Sequence, residues 1–199
     1  DITTVIQYLG SHFKGFKIKN LEKIHEIVPK KLIPKKIVNV KNDQHQFIYK
    51  FLYKIDKGYD LKKKNKSSKF LKLFDEFILF LAKKVFKESL VYQAKPTLRV
   101  MFPNNKAVGE FHRDRDYNHF TDEVNFFVPL TKAFDSNTVW VESEEGKEDF
   151  APMNARYGEF YMWDGANLKH GNKKNETGST RVSFDFRVLP LNYYNSTNN

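Results

Sequence analysis

The sequence predicts a mainly β protein with helices at its N-terminal end: a strand-rich sandwich or barrel, one sheet of which the helices cover. Three observations lead there. Apolar residues of the first half recur at helical spacing, and after about residue 91 they give way to short runs divided by turn residues. The charge divides at the same place. Residues 1–95 hold 22 lysines, no arginine and 9 acids, a net of +13, whereas residues 96–199 hold 6 lysines, 6 arginines and 15 acids, a net of −3. At 199 residues and 40% hydrophobic content the chain has core enough for one domain, with helical support over 1–95, a β core over 96–190 and a C-terminal tail over 191–199.

The N-terminal elements come first. Leu21, Ile24 and Val28 fall on one helical face before Pro29 and Pro34 break the segment, and Phe47, Phe51 and Ile55 make a second stripe. Residues 62–66 with Ser67 and Ser68 read as a charged linker whose serines can cap the next helix. That helix, the clearest in the chain, spans 70–86, with Phe70, Phe74, Phe77, Leu81 and Val85 on the face that a sheet would cover. Strands are predicted at 97–103, 108–112, 123–129, 138–142, 157–163 and 180–189, and shorter pieces at 149–151 and 167–171 bring the count to eight. Glycines 109, 146, 158, 165, 171 and 178 punctuate them.

Composition excludes several classes. The absence of cysteine removes disulfides, thiolate zinc sites and a cysteine nucleophile. No apolar run approaches the roughly 20 residues of a membrane helix, so a soluble, cytoplasmic protein without a membrane partner is expected. The formal charge of +10 invites a nucleic-acid partner. Its confinement to an arginine-free half reads instead as a solvated lysine surface.

The chemistry begins at His112 and Asp114. Residues two apart on a strand project together, so an imidazole and a carboxylate share one side. By itself such a pair is common. His170, beside Gly171, offers a second imidazole, and two imidazoles with one carboxylate leave one face of an octahedral iron open. Eleven positions on, Arg181 and Ser183 share one face of a strand whose other face carries Val182, Phe184, Phe186 and Val188. A guanidinium beside a hydroxyl makes an oriented carboxylate site, and an arginine at this offset with a serine two further on is roughly a one-in-a-thousand accident per histidine. The plainer alternative is a buried Arg181–Asp185 or Arg181–glutamate pair that only holds the core.

These residues together resemble the Fe(II)/2-oxoglutarate-dependent oxygenase superfamily. The resemblance covers about residues 96–190 and implies a double-stranded β-helix (a jelly-roll, cupin-like core) with helices on its major sheet. The stretches AVGEFHRDRDYNH, EVNFFVPLTKAF, NTVWVESEEG and HGNKKNETGSTRVSFDFRVLP look more narrowly like oxygenases of streptomycin-type antibiotic biosynthesis and phytanoyl-CoA-dioxygenase-like members. By this likeness His112, Asp114 and His170 would hold Fe(II), and Arg181 and Ser183 the distal carboxylate of 2-oxoglutarate. Asn125 and Arg99 could reach cosubstrate or substrate, or be a core amide and an ordinary ion pair. Trp163 walls the pocket or is plain core. The implied reaction couples O2 and the oxidative decarboxylation of 2-oxoglutarate to succinate with hydroxylation of a small polar metabolite.

Residues 115–119 read as a polar loop at the mouth, His119 as a decoy for a ligand, and Asn172 as a second mouth candidate. The acidic run 142–145 reads as a solvated turn. Two alternatives stay open: the same chemistry on a protein or nucleic acid gripped by the lysine-rich half, and a non-catalytic jelly-roll binding module.

Overall fold

In the computed structural model, which describes residues 18–27, 69–106 and 110–197, helices and sheet meet along a layer of aromatic side chains. A 3-10 turn, Ile18–Lys23, runs into the short helix α1, Ile24–Ile27. Helix α2, Lys69–Leu81, continues into a π-helical turn, Ala82–Phe86, and stops where Lys87 takes a left-handed φ of 58°. Eight strands come next: β1 Leu90–Tyr92, β2 Thr97–Met101, β3 Val124–Pro129, β4 Val139–Val141, β5 Ala151–Pro152, β6 Tyr161–Trp163, β7 His170–Asn172 and β8 Arg181–Pro190. A last helix, α3, Leu191–Thr197, occupies the predicted tail. Among the described residues no helix is long and apolar enough to cross a membrane.

Ten-residue β8 organises the larger sheet. β1 and β2 pair antiparallel along one of its edges, β3 along the other, and β6 lies outside β3. The smaller sheet has the order β5-β4-β7, also antiparallel. Strand alternation sorts β8 into two chemistries. Val182, Phe184, Phe186 and Val188 point to the helices and join Phe70, Phe74, Ile78, Leu81, Leu21 and Ile24 in one core. Phe186 is its centre, stacked on Phe126 at 4.8 Å and edge-on to Phe74 at 5.0 Å. On the opposite face Phe127, Met153, Val139, Val141, Tyr161 and Trp163 form a second, smaller core that joins the two sheets. The cleft opens beside it.

The helix at 70–86 and the strands foreseen after residue 97 agree with this architecture, with local differences. Ile78 joins the buried face, four residues after Phe74, and Val85 is 41% exposed because the wider π turn rotates the stripe after Leu81. Leu90–Tyr92, read as the end of the helical half, is a strand. The piece expected at 157–163 begins only at Tyr161, since Gly158 turns the chain at φ 90°. Of the strand expected at 108–112, residues 108 and 109 lie outside the described residues and His112 makes an isolated bridge. Val28, the stripe at Phe47, Phe51 and Ile55, and the linker at 62–68 also lie outside them.

Truncating Phe186 leaves a hole between two rings and the helix. Phe186→Ala should cost about 3–5 kcal/mol of unfolding free energy by urea denaturation, against under about 0.5 kcal/mol for the exposed Leu79→Ala.

Candidate metal centre

Backbone pairing brings the two histidines together. His112 and His170 form a hydrogen-bonded antiparallel bridge, each amide donating to the other's carbonyl at 2.9 Å. Side chains of such a pair leave the same side, and the ring centroids stand 4.6 Å apart. The bridge can close because Gly171 has no side chain: a Cβ there would sit 2.8 Å from the Phe111 ring. Two residues after His112 the chain turns into a 3-10 helix, Asp114–Tyr117, anchored by the Asp114 amide on the Gly165 carbonyl at 3.1 Å. This turn swings Asp114 inward until it is 2% exposed.

The tautomers are set by the backbone. His112 Nδ1–H donates to the Glu110 carbonyl at 2.6 Å, and His170 Nδ1–H to the Leu168 carbonyl at 3.0 Å. Carbonyls only accept, so each neutral ring keeps its proton on Nδ1 and turns the Nε2 lone pair to the cleft. Asp114 Oδ1 lies 3.4 Å from His112 Nε2 and 3.7 Å from His170 Nε2. The three ligand atoms all fall within 4.8 Å of one another. Lone pairs converging without a proton among them repel unless a cation sits at their centre, and nitrogen, nitrogen and oxygen donors suit a first-row divalent metal.

Asp114 is held ionised. Burial alone would raise its pKa, but the His112 contact, the Arg187 guanidinium, the Asn125 amide and His170 outweigh it and hold the carboxyl well below the usual carboxylate range. His112, whose protonated form would donate to Asp114, is lifted above the ordinary imidazole value, while burial pushes the deeper His170 below it. Acid therefore competes with a cation first at His112.

Deeper in the same cleft, of about 590 Å³, lie Arg181 and Ser183. Both are completely buried. Arg181 Nη1 donates to Asn172 Oδ1 at 3.3 Å, while its Nε and Nη2 and the Ser183 hydroxyl have no hydrogen-bond partner among the described residues. Burial, with Arg99 nearby, pushes the guanidinium down to about 9, so it keeps its proton and carries an unmatched charge at neutral pH. The alternative of an Arg181–Asp185 pair does not hold: Asp185 is taken by Arg99, through Nε at 2.5 Å and Nη2 at 3.1 Å.

The remaining candidates take different places. Asn125 lines the cleft, but its Nδ2 donates to Asp114 Oδ2 at 2.6 Å, so it is bound to the carboxylate side chain. Arg99 lines the cleft as half of its pair with Asp185. Trp163 is both wall and core, its ring edge-on to His170 at 4.6 Å. Asn172 is buried in β7 against Arg181 rather than at the mouth. At the mouth, Tyr117 stands edge-on to His112 at 5.1 Å, and His119 is paired with Glu123 at 3.0 Å, outside the ligand set.

Sequence reasoning missed Arg187, Gly165 and Glu142. Arg187 binds Asp114 Oδ2 through Nε and Nη2, both at 2.8 Å. The alternation that places Arg181 and Ser183 on one face carries on to Asp185 and Arg187, so the signal was present. Gly165 leaves room for the Asn125 amide, which a Cβ there would overlap. The acidic run is only partly a solvated turn. Glu144 and Glu145 are exposed, but Glu142 is 1% exposed and accepts the amides of Lys169 at 2.6 Å, Gly146 at 3.1 Å and Glu148 at 3.2 Å. Burial would raise its pKa, but those three amides and Arg113 outweigh it and hold it low.

Comparison with known proteins adds a sequence relative. The chain is 47% identical over 107 residues, 54% of its length, to the streptomycin biosynthesis protein StrG of Streptomyces griseus, and spans about half (50%) of that protein. No family model matches. Solved structures that align include a nickel complex of the non-heme monooxygenase ThoJ (TM-score 0.46, 15% identity, 57% of this chain and 49% of that one). Two others are AviO1 from Streptomyces viridochromogenes Tue57 (0.49, 19%, 65% and 64%) and EvdMO1 (0.49, 18%, 65% and 34%).

Gly165→Ala should displace the Asn125 amide and weaken divalent-metal binding about tenfold or more in a calorimetric titration, with the melting transition still cooperative. Because the folded Glu142 carboxyl is held low, its stabilisation is complete above the unfolded value near 4.5 and is lost as pH falls below it. Glu142→Gln, which turns an amide donor toward backbone donors, should lose about 1–3 kcal/mol at pH 7 and show a shallower loss of stability between pH 5 and 3.

Proposed function

We propose that this chain is a non-haem Fe(II)/2-oxoglutarate-dependent dioxygenase on a jelly-roll core, its N-terminal helices serving as support. One observation carries the reading. A buried, charged guanidinium with two nitrogens and a buried hydroxyl that have no hydrogen-bond partner among the described residues lie in the same cleft as two imidazole lone pairs and a carboxylate oxygen. An unmatched buried charge is costly, and a carboxylate at Arg181 and Ser183 would relieve that cost. The residues therefore fit both groups: His112, Asp114 and His170 would hold the iron, and Arg181 and Ser183 the far carboxylate of 2-oxoglutarate.

When bound, iron and 2-oxoglutarate supply the oxidation: with O2, the oxo acid goes to succinate and carbon dioxide and one oxygen atom enters a substrate C–H bond. The chain's own work is binding, orientation and exclusion of water. The Glu110 and Leu168 carbonyls fix both imidazole tautomers, and Asn172 steadies the Arg181 fork from below. The Arg99–Asp185 pair places a matched, half-buried charge pair on the cleft wall beside Ser183, opposite which Arg99 lies in register. Trp163 and Phe127 wall the interior with apolar surface. The substrate we propose is a small polar metabolite, met at the mouth by Tyr117 and His119. The kinship to a streptomycin biosynthesis protein supports a role in biosynthesis.

Anaerobic addition of Fe(II) and 2-oxoglutarate should give a visible metal-to-ligand absorption band. His112→Ala should abolish it. Arg181→Met should weaken 2-oxoglutarate binding at least tenfold while leaving Fe(II) binding intact, and without ligand it should melt no lower than the parent, since it removes an unmatched buried charge. A band of unchanged strength in both variants would sink the proposal.

A further inference from the structure

We propose that Arg187 and Asn125 are positioning residues that act on the metal through Asp114: they take up one carboxylate oxygen and leave the other alone to the ion. The inference rests on the metal-centre reading and goes beyond it. Oδ2 receives two N–H groups, from Asn125 Nδ2 at 2.6 Å and from Arg187 Nε at 2.8 Å, and stands in ion-pair contact with Arg187 Nη2 at 2.8 Å. An ionised carboxylate oxygen offers about two lone-pair sites, so Oδ2 is saturated. Oδ1 faces His112 Nε2 and His170 Nε2, which carry no proton in the tautomers their Nδ1 bonds select.

A carboxylate can chelate a metal through both oxygens or bind through one, and rotation about Cβ–Cγ exchanges the two. Here rotation would pull Oδ2 away from the Asn125 amide and from a largely buried guanidinium whose other carboxylate, Glu123, stands 3.7 Å off. The two clamping residues are direct cross-strand neighbours, Asn125 on β3 opposite Arg187 on β8, so the sheet itself sets their spacing. Each is held from behind. Glu123 Oε2 stands 3.7 Å from Arg187 Nε and also takes His119 Nδ1 at 3.0 Å. The bare Cα of Gly165 backs the Asn125 amide so closely that nothing larger fits. Asp114 would thereby offer an ion Oδ1 alone, and the position that a chelating carboxylate would consume would be left to other ligands.

The test uses Co(II) titrated into the full chain and into Arg187→Met, Arg187→Lys, Asn125→Ala, Asp114→Ala and His112→Ala, reading both the dissociation constant and the visible d–d spectrum, which reports coordination number. Arg187→Met and Asn125→Ala should each bind at least tenfold more weakly and change band intensity, as the carboxylate is released to swing or chelate. Arg187→Lys should recover part of the affinity and the parental band shape, which a merely structural contact would not do. If Arg187→Met does not fold, Asn125→Ala and Arg187→Lys carry the test. Parental constants and spectra in the clamp variants, or tighter binding in Arg187→Met, would overturn the clamp while the metal centre stands. Parental binding in Asp114→Ala and His112→Ala would instead remove the metal centre itself.

Discussion

The Asp114 carboxylate is the charge around which the cleft is built. A carboxylate so deeply buried stays ionised only if neighbours replace the water it has lost, and removing one partner of such a group is far costlier than removing both. Here the replacement comes from an amide on β3 and a guanidinium on β8, both at Oδ2, while Oδ1 faces two imidazole lone pairs on the bridged segments, where a cation would complete it. Each must itself be held, which explains the Glu110 and Leu168 carbonyls, the Glu123 carboxylate and the glycines at 165 and 171. The site is less a set of ligands than a set of obligations spreading outward from one negative charge.

The same logic explains why β8 lies at the middle of the larger sheet. Its outward face is apolar and finds helices; its inward face is Arg181, Ser183, Asp185 and Arg187, two cations, an anion and a hydroxyl in one row. Such a row is tolerable inside only if every member meets a partner from another strand. β2 supplies Arg99 to Asp185, and the loop after β2 supplies Asp114 to Arg187. Among the described residues the exceptions are the Ser183 hydroxyl and two nitrogens of Arg181, whose third meets Asn172 of β7.

Much of this was legible in the residues. Period-two alternation in 181–188 told which face met the helices, and the helical spacing of Phe70, Phe74 and Leu81 told which residues met it. His112, Asp114 and His170 could be named because a short spacing on one segment points two donors the same way. What escaped has a common cause: it depends on the far end of a contact. Glu142 sits in an acidic run that looks solvated, and only the fold brings three backbone amides around it. Asn172 lies two residues past His170 in a short strand paired with β4, which buries it, and nothing local marks that. Val85 failed because a periodicity argument assumes an unbroken α-helix, and a π turn changes the period.

The His112–His170 bridge joins positions 58 apart in the chain. In an unfolded chain those two imidazoles and Asp114 are independent, so any cation they hold together is bound by the native state alone. Folding and loading then become one linked equilibrium: a cation at a hundred times its dissociation constant adds about 2.7 kcal/mol to the native state. If that pairing closes after the folding transition state, the cation would act mainly by slowing the loss of the finished structure, and not by hastening its formation.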